Sequence, residues 1–194
     1  MKTLHLDLRY YYLPRRASIT ESEFHHRTLS FQFQASEIAL LLVDVWSDHY
    51  VKTHLQRGRD ITLERIKPVI QAFQSIGATV VHAPSSDCAR KYPGWTGYAG
   101  DREVFGRSPG SSASSDSWPP AEFRKKSGTY EKWARPQDPS DPIFDAILKD
   151  RKIIPEVEPQ PGDDVIVTGD QLHRLLSHRK ILHLFATGFA ANMC

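Results

Sequence analysis

The chain has little cysteine and no block of like charge. It also has no apolar run long enough for a membrane. Cys88 and Cys194 are its only cysteines among 194 residues, too few for a disulfide framework although one bridge could join them. Lysine and arginine number 25 against 23 aspartates and glutamates, and the two signs are interspersed. Without a basic patch, neither a nucleic-acid partner nor a membrane-surface role is expected. No segment approaches the roughly 20 apolar residues of a membrane span. The N-terminal MKTLHLDLRYYYLPRR alternates apolar with polar residues instead of offering the apolar core of a signal peptide. These features predict a reduced, cytoplasmic protein. The length suits one domain with a sizeable core.

What is present is strand and helix in alternation. Leu4, Leu6, Leu8, Tyr10 and Tyr12 alternate with other residues, and Phe31 and Phe33 repeat the pattern in LSFQFQ. Residues 1–36 therefore read as an extended arm or hairpin. IALLLVDV, residues 38–45, is an almost unbroken apolar run, the mark of a strand buried on both faces. Residues 60–76 place Ile61, Ile66, Val69, Ile70 and Phe73 largely on one helical face, with Pro68 as an interruption and Gly77 as a stop. ATVVHAPSS follows as a second buried strand.

Residues 84–140 are rich in proline, glycine, serine and aromatics, and read as a long irregular insertion. Tyr92, Trp95, Tyr98, Trp118, Tyr130 and Trp133 are expected to fix that loop to its own domain. A helix is predicted in SDPIFDAILKD, capped by Ser140 or Asp141 with Pro142 at its first position. The short strand DVIVT comes next. A further helix then opens on a capping box between Thr168 and Gln171, and KILHLFATG is a fourth strand. This order predicts an α/β fold of three layers, α/β/α, around a mainly parallel, Rossmann-like sheet.

In parallel sheets the reacting groups gather at the carboxyl ends of strands. Asp44, His82 and Cys194 stand at such ends. A carboxylate there is costly to desolvate without a partner or a task, and a cysteine near a base can become a nucleophilic thiolate. The residues alone leave two readings open: Asp44 as a cap with Cys194 as an inert buried residue, or the two as base and nucleophile.

Three blocks bear on that choice. ALLLVDVWSDHY, IIPEVEPQPGDDVIV and ATGFAANMC together resemble the first-strand motif, the segment before the third strand and the nucleophile turn of the isochorismatase-like cysteine hydrolases, in that family's order. The resemblance covers most of residues 38–194 outside the insertion and implies a domain over 37–194. It implies the isochorismatase-like fold and cysteine-dependent hydrolysis of a C–N bond in a small amide through a thioester. Carried over, Cys194 is the nucleophile, Asp44 its base, and the backbone N–H groups of Ala190 and Cys194 the oxyanion hole. It further implies a cis peptide in the turn, at Phe189–Ala190.

The chain departs from the family pattern in four respects. Thr168 stands where a catalytic lysine is expected, so a non-catalytic small-molecule-binding protein of the same fold is the alternative. Trp46 and His49 replace the family's Gln and Phe and are candidate pocket residues. His49 could stabilise a thiolate as imidazolium or move a proton as imidazole. PSSDCARKY lacks the histidine cluster of metal-dependent relatives, so neither a metal nor a cofactor is expected. Family sheets continue past the cysteine, so the chain reads as the N-terminal portion of a longer protein, with C-terminal elements missing. A homo-oligomer accords with the resemblance, although no interface can be read from the residues.

Overall fold

The computed structural model describes residues 2–100, 104, 118–136 and 141–190. Within them, strands β1 (Thr3–Tyr12) and β2 (His25–Gln34) form an antiparallel hairpin. The register pairs Leu4 with Phe33, Leu6 with Phe31 and Leu8 with Leu29. Directly opposed residues share a face, so the alternation read from the sequence gives the hairpin one apolar side.

A second, four-stranded sheet contains β3 (Ile38–Val43), β4 (Thr79–Ala83), β5 (Asp164–Val165) and β6 (His183–Gly188) in the order β5-β4-β3-β6. All three pairings are parallel. The predicted mixed α/β architecture with a parallel sheet is therefore present. β5 is shorter than DVIVT suggested, because the chain leaves the sheet to start the next helix. Strand alternation sorts β3 between two cores. Ile38, Leu40 and Leu42 join Val80, Ile70 and Phe73 on one face, while Ala39 joins Val81, Ile166 and Leu175 on the other.

One long helical stretch covers the first face. It comprises α1 (Lys52–Ile61), a π turn (Thr62–Ile66) and α2 (Lys67–Ile76). The sequence placed its start near residue 60, and it begins a full two turns earlier. Pro68 lies in the first turn of α2 and is accommodated by the π turn, where the Lys67 N–H donates to the Thr62 carbonyl, five residues back. A widened turn of this kind absorbs a residue that cannot donate to the ordinary ladder. Gly77 ends the helix in the left-handed region, as read from the sequence. The hairpin's Phe33 packs on the same core against Phe185, ring centroids 5.4 Å apart.

The opposite face is covered by the helix Gly169–Arg179. Two short helices, α3 (Ser86–Ala89) and α4 (Ala121–Lys125), and the longer α5 (Asp141–Asp150) precede it, making it α6. The predicted cap at Ser140 lies outside the described residues. The start of the insertion is tied down as its aromatics suggested. Gln171 donates to the Trp95 carbonyl at 2.7 Å, and Arg179 to the Tyr98 hydroxyl at 3.2 Å. Tyr92 donates to Glu158 and accepts from the Ile153 N–H, both at 3.0 Å. Trp118 and Trp133 are exposed. Among the described residues no helix is long and apolar enough to cross a membrane.

Candidate active site

β3 ends at Val43 and is hydrogen-bonded to β6 along its length, with Val43 in register with Gly188. The two strands therefore deliver Asp44 and the turn after β6 to the same rim of the sheet. Contact there is at the limit of close approach. Gly188 has φ +137°, and a Cβ built on it would lie 1.9 Å from the Val43 carbonyl oxygen. The Phe189 N–H donates to that same oxygen at 3.0 Å. The Phe189–Ala190 peptide is cis, the bond at which the resemblance put it. The Phe189 ring rests against Gly58 of α1. Ala190 is thus placed beside the β3 terminus. Cys194 lies outside the described residues.

Asp44 itself is in the left-handed region at φ +52°, a conformation that aspartate tolerates better than most residues. Its N–H reaches the Ala83 carbonyl at 3.3 Å, so the backbone leans toward β4. Burial holds its carboxyl above the usual carboxylate range, while the Arg151 guanidinium and the Ser85 N–H pull it back. A half-buried carboxylate with a raised pKa is a better proton acceptor than a solvated one.

Sequence reasoning missed Arg151. Its backbone N–H closes the last turn of α5 on the Ile147 carbonyl at 2.8 Å. The next residues then pair with the segment after Asp44. Ile153 bridges Trp46, the Ser47 N–H donates to the Lys152 carbonyl at 2.8 Å, and the Ile154 N–H to the Val45 carbonyl at 3.2 Å. This pairing buries Arg151 to 4% exposure directly over the Trp46 ring, 4.0 Å from its centroid. One terminal nitrogen donates to Ser85 Oγ at 2.7 Å and to both oxygens of Asp87 at 3.0 Å. Asp87, against its own burial, is held below the carboxylate range by Ser85 and Arg151. Arg151 Nε is buried without a hydrogen-bond partner. The signal available in the sequence was an arginine just after a helix and before an apolar pair, in RKIIP. Such an arginine is indistinguishable from a solvated one until the Trp46–Ile153 bridge is seen.

The proposed pocket residues separate. Trp46 stands at the rim under Arg151. His49 stacks on it at 6.1 Å with 7° between ring planes, and Tyr50 stacks on His49 at 4.4 Å. The Val51 N–H donates to His49 Nδ1 at 3.0 Å, which fixes the neutral tautomer protonated at Nε2. Burial, with His54 and Arg151 nearby, pushes the His49 pKa down. Of its two sequence-derived roles, the imidazolium is disfavoured and the neutral ring retained. Thr168 is occupied as a helix cap, its Oγ1 accepting from the Gln171 N–H at 3.2 Å in the predicted capping box. His82 is buried in the sheet and turned toward Asp163, 3.5 Å away.

Cys88 is free and fully buried, and burial pushes its thiol up to about 11. Among the described residues no three His, Cys, Asp or Glu side chains come together as metal ligands.

No family model matches the chain. No curated protein matches it either.

Proposed function

We propose that the protein is an isochorismatase-like cysteine hydrolase that cleaves a C–N bond of a small amide. Asp44 takes the proton from the Cys194 thiol, and the thiolate adds to the substrate carbonyl. The N–H groups of Ala190 and Cys194 hold the resulting oxyanion. Collapse of the adduct expels the amine, which receives the proton from Asp44, and leaves a thioester on Cys194. Water then adds to the thioester, giving the acid and the free thiol.

The observation that carries this reading is the register of Val43 with Gly188, which puts Asp44 and the chain entering the nucleophile segment at one strand end. Arg151 supports it as the site's positive charge, in place of the lysine expected at Thr168. It is buried beside Trp46 and lowers the cost of ionising Asp44. A guanidinium stays charged even when desolvated, so it can fill an electrostatic role that a lysine would fill elsewhere.

The test is alkylation of the whole chain by iodoacetamide, read by peptide mass spectrometry across pH, with turnover followed on a panel of small amides. Cys88 is shielded by burial and serves as the internal control. Cys194 is expected to react preferentially, and Asp44→Asn to slow that reaction at least tenfold near neutral pH. Equal labelling of Cys194 in wild type and Asp44→Asn, with no amide turned over, would exclude the reading. The capping role of Thr168 favours one rival, a binding protein of the same fold. Thermal shifts by small amides that persist in Cys194→Ser, without turnover, would favour it.

A further inference from the structure

The hairpin carries more apolar surface than its own domain covers. Its apolar side bears Leu4, Leu6, Leu8, Tyr10 and Tyr12 opposite Phe33, Phe31, Leu29, Arg27 and His25. At the base Phe33 is buried, but Phe31 is 43% exposed and Leu29 49%. Tyr10 and Tyr11 are exposed as well. A two-stranded ribbon is marginal by itself, and each outer strand presents a row of unpaired backbone groups. Among the described residues β1 pairs with β2 alone, so its outer edge is open.

The charges on β1 select what pairs with that edge. They are Asp7 and Arg9, flanking Leu8 on the polar side, and neither has an ion-pair partner among the described residues. Asp7 accepts from Ser30 Oγ at 2.5 Å, which leaves its second oxygen available. Consider two copies of β1 running antiparallel about a two-fold axis at Leu8. Asp7 of each then stands opposite Arg9 of the other, Leu8 opposite Leu8, and Leu6 opposite Tyr10. Shifting the axis one residue either way sets Asp7 against Asp7 or Arg9 against Arg9, and also moves the apolar partners. Like charges directly opposed on a strand pair are unfavourable, so the Leu8 register is selected. Nearly the whole of β1 overlaps in this register. The two apolar faces merge into one side of a four-stranded antiparallel sheet.

We infer that the protein forms a two-fold symmetric dimer through its N-terminal hairpin, β1 against β1, centred on Leu8. Every contact in it occurs twice, Asp7 to Arg9 and Arg9 to Asp7, with Leu8 on the axis meeting its own mate, as a closed dimer requires. The partner on the open β1 edge is thus a second copy of this chain, and the apolar strip runs on continuously from one hairpin to the other.

Sedimentation equilibrium on the whole chain tests this, with circular dichroism to verify that each variant is folded. Wild type is expected to be dimeric. Arg9→Asp places two like-charge contacts in the interface and should raise the dimer dissociation constant by roughly tenfold or more. The exchange Asp7→Arg/Arg9→Asp restores opposite charges in the same register and should restore dimerisation. Arg9→Ala, which removes attraction without adding repulsion, should fall between wild type and Arg9→Asp. A monomeric wild type, an Arg9→Asp dimer as tight as wild type, or an exchange variant no better than Arg9→Asp would each overturn the inference.

Discussion

At the scale of the residue, Asp44 is held at the expense of stability. Its pKa in the fold is raised above the ordinary 3.8, mainly by burial. The folded state therefore binds more protons than the unfolded chain between 3.8 and the raised value, and stability falls as pH rises through that window. Asp44→Asn keeps the size and the tolerance of a positive φ while removing the charge. Its melting temperature is expected to exceed that of wild type by roughly 2 °C at pH 8. The gain should shrink as pH falls toward 3.8, which differential scanning calorimetry across pH would record. Arg151 is constrained in the opposite sense. It is buried, one of its terminal nitrogens binds Ser85 and Asp87 while the guanidinium lies over Trp46, and a lysine ammonium would not reproduce that stack.

At the scale of the element, two local motifs fix how the site is framed. The capping box of α6 ties Thr168 to Gln171, and Gln171 in turn reaches the Trp95 carbonyl. Thr168→Ala should cost about 1 kcal/mol, seen as a melting temperature lower by roughly 3 °C, while leaving Cys194 alkylation unchanged. A fall in alkylation instead would return Thr168 to the site. Gly188 is the stricter position, because any Cβ there meets the Val43 carbonyl. Gly188→Ala should destabilise by about 3 kcal/mol or more, since β6 must separate from β3 to make room. Hydrogen exchange would show that loss first in β6.

These elements also mark how far the sequence could be read. The buried strands were legible because IALLLV and TVVHA leave no solvent face, and the cap and stop at Thr168 and Gly77 were legible because their chemistry is local. The start of α1 was not, since KTHLQRGRD has no apolar periodicity and no buried residue. That stretch is helical because it continues a helix whose other half is buried. Arg151 was illegible for a related reason. Its burial depends on a bridge between residues more than a hundred positions apart, and residue spacing carries no trace of that.

At the scale of the whole molecule, the parallel sheet separates two cores, and the hairpin adds an apolar face that reaches past the first of them. Joining the rim to that first core is the continuous helical stretch from Lys52 to Ile76. Gly58 touches Phe189 at the rim, while Thr62, Ile66, Ile70 and Phe73 are buried further along. Steps of four residues in a regular α-helix overshoot a full turn by about 40° each, so a stripe so spaced would wind away from the sheet. The π turn at Thr62–Ile66 takes back part of that overshoot and acts as a phase corrector, keeping both halves of the stripe aimed at one surface. Excising one residue there would turn the Gly58 end by about 100° relative to Phe73. The rim would then lose its backing while the core kept its own, so the site's alignment hangs on helical phase as much as on any side chain within it.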